Sequence, residues 1–130
     1  MEYGKLVEMA YEAMEYSYSP YSNFKVGAAL LTEEGKVFTG CNVECASYGG
    51  TNCAERTAIF KAVSEGYRKF TAIAIVSSSN KETYPCGICR QVIEEFAPEA
   101  DVILANGMDY KVYKFREFLP FAFSPHDLQK

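Results

Sequence analysis

The chain has 130 residues, a net charge of −4 and a pI near 5.0, and 48% of its residues are hydrophobic. This length and composition predict one globular domain over residues 1–130 and exclude a disordered chain. Lys and Arg form no cluster, and no uninterrupted apolar run has the length of a membrane span. We therefore expect neither a nucleic-acid polymer nor a membrane as partner, and a small ligand instead.

The first residues and the cysteines indicate a cytoplasmic protein. The N-terminal stretch MEYGKLVEMAYEAMEY carries acidic side chains where a signal peptide has positive charge and an apolar core. The five cysteines are an odd number, which argues against a disulfide framework. In a reducing compartment their thiols stay free for metal binding or catalysis.

The first half of the chain predicts a helix followed by a hairpin. An apolar face at helical spacing places the first helix at about residues 4–16, and it consists of Leu6, Met9, Ala10 and Ala13. FKVGAALL is apolar on both faces, as a central strand is. The turn TEEGK joins it to a second strand, VFTGCNVE, which is followed by the polar loop CASYGGTN.

The second half predicts two helices and three strands. The helices cover about residues 53–65 and 86–97. Their predicted buried faces are Ala58, Ile59, Ala62 and Val63 in the first and Ile88, Val92 and Phe96 in the second. TAIAIVSS and DVILAN read as buried strands, and a turn at Asn106-Gly107 predicts an antiparallel last strand, YKVYKF. The order predicts an α/β fold, a three-layer α/β/α sandwich around a mixed five-stranded sheet.

The stretch TNCAERTA, at the start of the second helix, has two interpretations. As a capping box, Asn52 is the N-cap and Glu55, three residues later, bonds back to it. As a metal site, Cys53 binds an ion and Glu55 moves protons beside it. Taken alone, the stretch favours capping.

A second stretch, PCGICRQ, changes that balance. Cys86 and Cys89 are i and i+3 on a helix and face the same way, a spacing that suits a redox pair or part of a zinc site. Cys53 and this pair both fall at predicted helix N-termini, whose partial positive charge stabilises the thiolates that bind Zn²⁺. Arg56 is predicted to donate to those thiolates and offset their charge. For Arg90, a role beside the thiolates and a solvated surface charge fit the sequence equally well.

The number of ligands separates a catalytic site from a structural one. Three protein ligands leave an open position on zinc, whereas a fourth ligand closes it. Cys41, Cys45 and His126 are the candidates for a fourth ligand, although Cys41 fits the core better and His126 an exposed tail. A structural zinc site does not need the Glu55 carboxylate, whereas a hydrolytic zinc site needs such a group. The combined pattern therefore favours a catalytic zinc site.

CAE followed by PCGIC resembles the zinc-dependent cytidine deaminase family in its three-cysteine form. FKVGAALL, GCNVECASYGGTNCAERTA and PCGICRQ extend this resemblance over most of residues 20–92. The resemblance implies that Cys53, Cys86 and Cys89 hold one Zn²⁺ per subunit with water as fourth ligand. Glu55 then passes that water's proton to the pyrimidine ring and later protonates the departing ammonia. It also implies a homotetramer that deaminates cytidine and 2′-deoxycytidine in pyrimidine salvage.

The same resemblance implies how the nucleoside is bound. Asn42 and Glu44 lie two apart in an extended run and point to one face, where an amide and a carboxylate suit ribose hydroxyls; a solvated strand edge is the alternative. Phe24 packs on the ring or belongs to the core, and backbone groups of Ala54 and Cys86 bind the base. Three further residues are implied to close a neighbouring subunit's pocket: Ala46, Tyr48 and Phe123.

Three other functions stay open on the sequence. A deaminase of a modified cytosine nucleoside, such as blasticidin S, shares the zinc motif, but the segment NVE favours ordinary ribose recognition. A structural zinc module without activity is disfavoured by Glu55. A polynucleotide editor is disfavoured by the acidic net charge.

Overall fold

Helices and strands alternate in the computed structural model, which describes residues 1–79 and 81–128. The helices in these ranges are α1 (Tyr3–Met14), α2 (Ala54–Ser64) and α3 (Gly87–Phe96). The strands are β1 (Val26–Thr32), β2 (Val37–Cys41), β3 (Phe70–Ser77), β4 (Asp101–Asn106) and β5 (Asp109–Lys114). Short 3-10 helices lie at Tyr48–Gly50, Phe115–Phe118 and Pro125–Leu128. None of the helices in this part of the chain has the length and apolar character that crossing a membrane requires.

The strands form one mixed sheet in the order β2-β1-β3-β4-β5. Neighbouring strands are antiparallel except β3 and β4, which are parallel and joined through α3. The predicted antiparallel pairing of the last two strands is confirmed, and Asn106 lies opposite Asp109 across the turn. Gly107 takes a φ of 65° in that turn, a conformation that glycine adopts without steric cost.

Helices cover both faces of the sheet, so the predicted α/β/α sandwich is confirmed. Successive residues of a strand point to opposite faces, and alternate residues of β1 and β3 therefore join two separate apolar clusters. The cluster under α1 includes Leu6, Val7, Ala10, Ala29, Leu31, Ala74 and Val76. The cluster under α2 and α3 includes Ala58, Ile59, Ile93, Leu30, Ile73 and Ile75. The second cluster supports the two helices that carry the candidate metal ligands.

Two local predictions are wrong. Ile88 was predicted to be buried, but it is 62% exposed, because α3 turns Cys89 and Ile93 toward the sheet instead. The second strand ends at Cys41 and does not continue through NVE. Val43 pairs instead through isolated bridges with Tyr18 and Asn52, which draw this segment away from β1.

Gly40 lets the start of α2 lie directly on β2. A Cβ atom at this position would be 2.5 Å from the carbonyl oxygen of Ala54 and 2.6 Å from the backbone nitrogen of Ala58. Both contacts are with helix backbone, so relief requires moving α2 itself. We expect Gly40→Ala to lower the free energy of unfolding by about 2 kcal/mol or more, measured by urea denaturation.

Gly4→Ala is the matched control for this prediction. Gly4 lies in α1, and the nearest atom to an added Cβ is the Cε2 of Tyr110 at 4.0 Å, an ordinary contact. Alanine is also the better helix former, so this variant should be as stable as the parent or more stable by up to about 1 kcal/mol. Equal stabilities for the two variants would contradict the close approach at Gly40.

Candidate metal centre and active site

Three cysteines meet where α2 and α3 begin. Cys53 is the N-cap of α2 and Cys86 is the N-cap of α3, each with extended backbone angles, and Cys89 lies in the first turn of α3. Their Sγ atoms all lie within 4.8 Å of one another, and those of Cys53 and Cys86 are 3.8 Å apart. The positive ends of two helix dipoles therefore face the same group of sulfur atoms, which favours their thiolate forms.

The capping-box interpretation of TNCAERTA is wrong. The N-cap of α2 is Cys53, one residue later than that interpretation requires, so Glu55 occupies the second helical position and not the third. Asn52 precedes the helix, and its side-chain amide donates to Oγ1 of Thr57 at 3.1 Å. The Glu55 side chain is therefore not part of a capping box with Asn52.

The carboxyl group of Glu55 is buried, with 4% of the residue exposed. Burial is the main reason that its pKa is raised to about 7. A hydrogen bond with its own backbone opposes this shift, the negative charge of Cys53 adds to it, and Arg56 and Cys89 oppose it more weakly. A carboxyl group with a pKa near neutrality both accepts and donates protons at physiological pH. The structure thus gives Glu55 the chemistry that a proton-transfer group needs.

Arg56 contacts the cluster as its position three residues after Cys53 predicts. Its Nη2 donates to Sγ of Cys53 at 3.1 Å. The thiol of Cys89 and the guanidinium of Arg56 both hydrogen-bond to Cys53 and lower its pKa to about 5, although partial burial opposes them. The same bond to Cys53, together with burial, raises the pKa of Cys89. Both neighbours of Cys53 thus favour its thiolate form, and Arg56 compensates the charge.

The donor set fits zinc. Three cysteine sulfur atoms at this spacing are ligands that zinc prefers, and they bind it as thiolates once the metal has displaced their protons. Within residues 1–79 and 81–128, no fourth Cys, His, Asp or Glu belongs to the cluster. The three alternative ligands lie elsewhere: Cys41 is half-buried at the end of β2, and Cys45 and His126 are exposed. The arrangement corresponds to a three-ligand catalytic site and not to a closed structural one.

A cavity of about 260 Å³ lies beside the cluster and joins it to the proposed substrate residues. The sequence-predicted residues in its lining are Phe24, Asn42, Glu44, Cys53, Ala54, Glu55 and Cys86. The other lining residues are Ser22, Val26, Thr51, Thr83 and Tyr84. Val26 lies in FKVGAALL and Thr51 in TNCAERTA, but neither pattern marks them as cavity residues. Ser22, Thr83 and Tyr84 lie outside these stretches, so sequence reasoning missed all five. A second cavity, of about 340 Å³, shares Ser22, Glu44 and Thr51 and adds Tyr21 and Tyr48.

Asn42 points into the cavity and also ties three segments together. Asn42 and Glu44 are buried while Val43 is 41% exposed, which confirms the predicted alternation. The Oδ1 atom of Asn42 accepts from the Val26 backbone at 2.9 Å and from the Ser17 hydroxyl. Its Nδ2 donates to the Phe24 carbonyl at 2.7 Å. One amide hydrogen of Asn42 stays available for a ligand.

Glu44 holds the loop that precedes Phe24. Its Oε1 accepts from the backbone N–H groups of Tyr21 at 3.0 Å and Ser22 at 3.1 Å, and its Oε2 accepts from the Ser22 hydroxyl. The Ser22 hydroxyl is the main reason that the pKa of Glu44 lies below its usual value. The group is therefore an ionised carboxylate with lone pairs left on Oε2.

The residues implied to serve a neighbouring subunit lie outside the cavity that contains Glu55. Ala46, Tyr48 and Phe123 are exposed. The backbone carbonyl of Phe123 accepts from Nε2 of Gln91 at 2.7 Å, so the C-terminal segment is attached to α3.

Comparisons with known proteins agree with this geometry. Residues 1–105 match the family described as the cytidine and deoxycytidylate deaminase zinc-binding region. The chain is 48% identical over 130 residues to a cytidine deaminase of Halalkalibacterium halodurans, with 98% of each chain covered. It is 32% identical over 130 residues to a blasticidin-S deaminase of Bacillus cereus, covering 92% of this chain and 91% of that protein.

Solved structures show the same relationship. The crystal structure of a cytidine deaminase from Burkholderia pseudomallei superposes with a TM-score of 0.91 at 53% identity. The match covers 95% of this chain and 100% of that one. Together with the three clustered thiols, these matches show that the chain belongs to the zinc-dependent cytidine and deoxycytidylate deaminase family.

Proposed function

We propose that this chain catalyses the zinc-dependent hydrolytic deamination of cytidine and 2′-deoxycytidine to uridine and 2′-deoxyuridine, with release of ammonia. One observation carries the proposal: the buried Glu55 carboxyl group and the Cys53 and Cys86 thiols line the same cavity as Phe24 and Glu44. The similarity to proteins named cytidine deaminase supports it. The cavity is close to the lower end of the range for small-molecule sites, about 300–1,000 Å³, which suits a nucleoside.

Cys53, Cys86 and Cys89 would hold the zinc ion. When bound, zinc supplies a nucleophile at neutral pH because it acidifies water. Three thiolates overcompensate a divalent cation and blunt that effect. Arg56 neutralises part of this excess negative charge through its hydrogen bond to Cys53. It would thereby restore part of the metal's ability to acidify water, without contacting the substrate.

Glu55 moves the protons. Its ionised carboxylate accepts one proton from the attacking water, and the resulting acid delivers it to N3 of the pyrimidine ring. The water oxygen bonds to C4 of the ring, which leaves one proton on that oxygen. Glu55 carries this remaining proton to the amino group, the C4–N bond breaks as the C4 carbonyl forms, and cytidine and water thus become uridine and ammonia. The pKa of about 7 makes both forms of the group accessible during turnover.

The remaining contacts orient the nucleoside. In this proposal, Glu44 and the free amide hydrogen of Asn42 bind ribose hydroxyls, Phe24 packs on the ring, and the backbone of Ala54 and Cys86 binds the base. Residues 1–130 act as a single catalytic domain in the reducing cytoplasm, where zinc-binding thiols persist.

We also propose a homotetramer in which Ala46, Tyr48 and Phe123 border a neighbouring subunit's pocket. Two exposed aromatic side chains that are close in sequence, Phe121 and Phe123, support it, since clustered apolar side chains mark interaction surfaces. Tyr48 is exposed as well. The mass of the protein in solution tests this assignment, and a stable active monomer would contradict it.

The proposed function is tested by zinc content and cytidine turnover measured on the same sample. We expect one zinc per chain and turnover of cytidine in preference to blasticidin S. A zinc-loaded protein without turnover would identify a structural module, and a preference for blasticidin S would identify the modified-nucleoside deaminase. Tight, salt-sensitive binding to single-stranded nucleic acid would point to an editor.

Glu44→Gln should weaken cytidine binding. An amide accepts a hydrogen bond from ribose less strongly than a carboxylate does, and loss of a charged hydrogen bond costs about 1.5–3 kcal/mol. We therefore expect KM for cytidine to rise by about tenfold or more, with a smaller effect on kcat. Steady-state kinetics with cytidine provide the measurement.

Ser22→Ala is the control that separates ribose binding from loop anchoring. It removes the hydroxyl that bonds Oε2 of Glu44 but leaves the carboxylate in place. If Glu44 acts on the ribose, Ser22→Ala should raise KM much less than Glu44→Gln. Equal effects would contradict a separate role of the Glu44 carboxylate at the ribose.

A further inference from the structure

Arg90 lies next to the metal ligands but outside the substrate cavity, and its guanidinium binds two carbonyl groups. Its Nε donates to the carbonyl oxygen of Pro85 at 2.7 Å, and its Nη1 donates to that of Phe118 at 2.9 Å. The guanidinium carbon also lies 5.3 Å from the centre of the Phe118 ring. This side chain is therefore a bridge between two segments and not a solvated surface charge.

The first of these carbonyls belongs to the peptide bond that leads into Cys86. The backbone N–H of Arg90 in turn donates to the carbonyl of Cys86 at 2.9 Å. Arg90 thus binds the peptide units on both sides of one metal ligand. The backbone bond is an ordinary helical one that any residue makes, whereas the bond to Pro85 requires this side chain.

The second carbonyl provides a fixed point for the bridge. Phe118 ends the 3-10 helix Phe115–Phe118, and its ring packs against Tyr113 with centroids 5.3 Å apart. The ring of Tyr84 lies 5.9 Å from that of Phe118. Tyr84 immediately precedes Pro85 and lines the cavity. The segment before Cys86 is consequently held by both a polar bridge and an aromatic contact.

Cys86 depends on such support more than the other two ligands do. Cys89 is buried within the first turn of α3, and Cys53 receives the guanidinium of Arg56. Cys86 is exposed and lies at the N-cap, where the helix holds its carbonyl but not the peptide unit that precedes it. Its thiol is therefore positioned mainly by the peptide unit that Arg90 holds.

We propose that Arg90 is a positioning residue that fixes the Pro85–Cys86 peptide against Phe118 and so holds the Cys86 thiol in place for zinc. This inference rests on the zinc site of the proposed function. It adds that Arg90 orients one zinc ligand, Cys86, through the backbone. Loss of partners that orient a ligand typically costs 10–100-fold in metal affinity or activity.

The test is the rate at which zinc leaves the purified holoenzyme in excess 4-(2-pyridylazo)resorcinol. Arg90→Gln cannot bridge both carbonyls, so we expect zinc release to accelerate by roughly tenfold or more. Arg90→Lys keeps the charge but lacks the planar fork, and it should also release zinc faster than the parent. The thiolate-to-metal absorption of the Co²⁺-loaded protein should shift in both variants.

Arg116→Gln is the matched control, because Arg116 is exposed and pairs with Glu99 away from the cluster. It should release zinc at the parental rate. Parental release from Arg90→Gln would overturn the proposal, and so would parental release from Arg90→Lys, since charge alone would then suffice. A lower melting temperature with unchanged release would also overturn it. If Arg90→Gln fails to fold, Arg90→Lys decides the question.

The two proposals fail in different ways. A parent protein that binds zinc without deaminating cytidine contradicts the proposed function but leaves the zinc-release comparison intact. A parent protein that deaminates cytidine, with variants that release zinc at the parental rate, contradicts only the role of Arg90.

Discussion

Glu55→Gln is expected to abolish most of the deaminase activity and to leave zinc bound. Glutamine keeps the shape of the side chain but cannot accept the proton of the attacking water. General acid–base groups contribute about 10²–10⁴-fold, so kcat/KM for cytidine should fall within or beyond that range. Zinc per chain should stay at the parental value, since the three clustered ligands are cysteines. Cytidine turnover and elemental analysis of one preparation give both quantities.

Glu95→Gln is the control for this variant, because Glu95 is an exposed residue of α3. It should keep full activity. Burying a carboxyl group is costly, so Glu55→Gln should unfold at the parental temperature or above it. Undiminished turnover in Glu55→Gln would refute the assigned role, and loss of zinc from it would show that the carboxylate is a ligand.

Cys89→Ser is expected to remove both zinc and activity. A serine hydroxyl stays protonated at neutral pH and is a poor zinc ligand, so only two thiolates would remain. Cys89 is also buried, so a ligand from the protein surface cannot easily take its place on the metal. We expect zinc affinity to fall by more than about 100-fold, beyond the usual cost of losing an outer-shell partner. Chelator competition measures the affinity, and turnover should fall in parallel.

Cys45→Ser is the matched cysteine control. Cys45 is exposed and lies outside the cluster, and its Sγ donates to the Gly50 carbonyl at 3.6 Å. This variant should retain one zinc per chain and parental activity. Zinc loss from Cys45→Ser, or full zinc content in Cys89→Ser, would mean that the ligand set is wrong.

The sheet and the metal cluster were accessible from the sequence because both rest on short-range patterns. Continuous apolar runs identified β1 and β3 as interior strands, and the Asn106-Gly107 turn identified the β4–β5 pairing. The metal cluster was predictable because cysteines occur at the predicted N-termini of two helices. These cysteines come together when the two N-termini lie side by side. The same local reasoning failed at Ile88, where the face that α3 presents depends on its packing against the sheet.

The partners of the substrate residues were not accessible from the sequence. Spacing correctly predicted that Asn42 and Glu44 share a face, but not that loop residues 17–24 fold over them. Ser17 and Ser22 bond to their side chains from about twenty residues away. No periodic pattern encodes such pairings, because a loop's path depends on the whole fold.

The hydrogen bonds of Asn42 have a consequence for redesigning the proposed ribose site. Its side chain connects Ser17, Phe24 and Val26, so a replacement chosen to suit a different sugar also leaves the buried N–H of Val26 and the carbonyl of Phe24 without their partner. A library that varies this position alone will therefore return mostly unstable proteins. New preferences at this site will require the flanking loop to be diversified together with it.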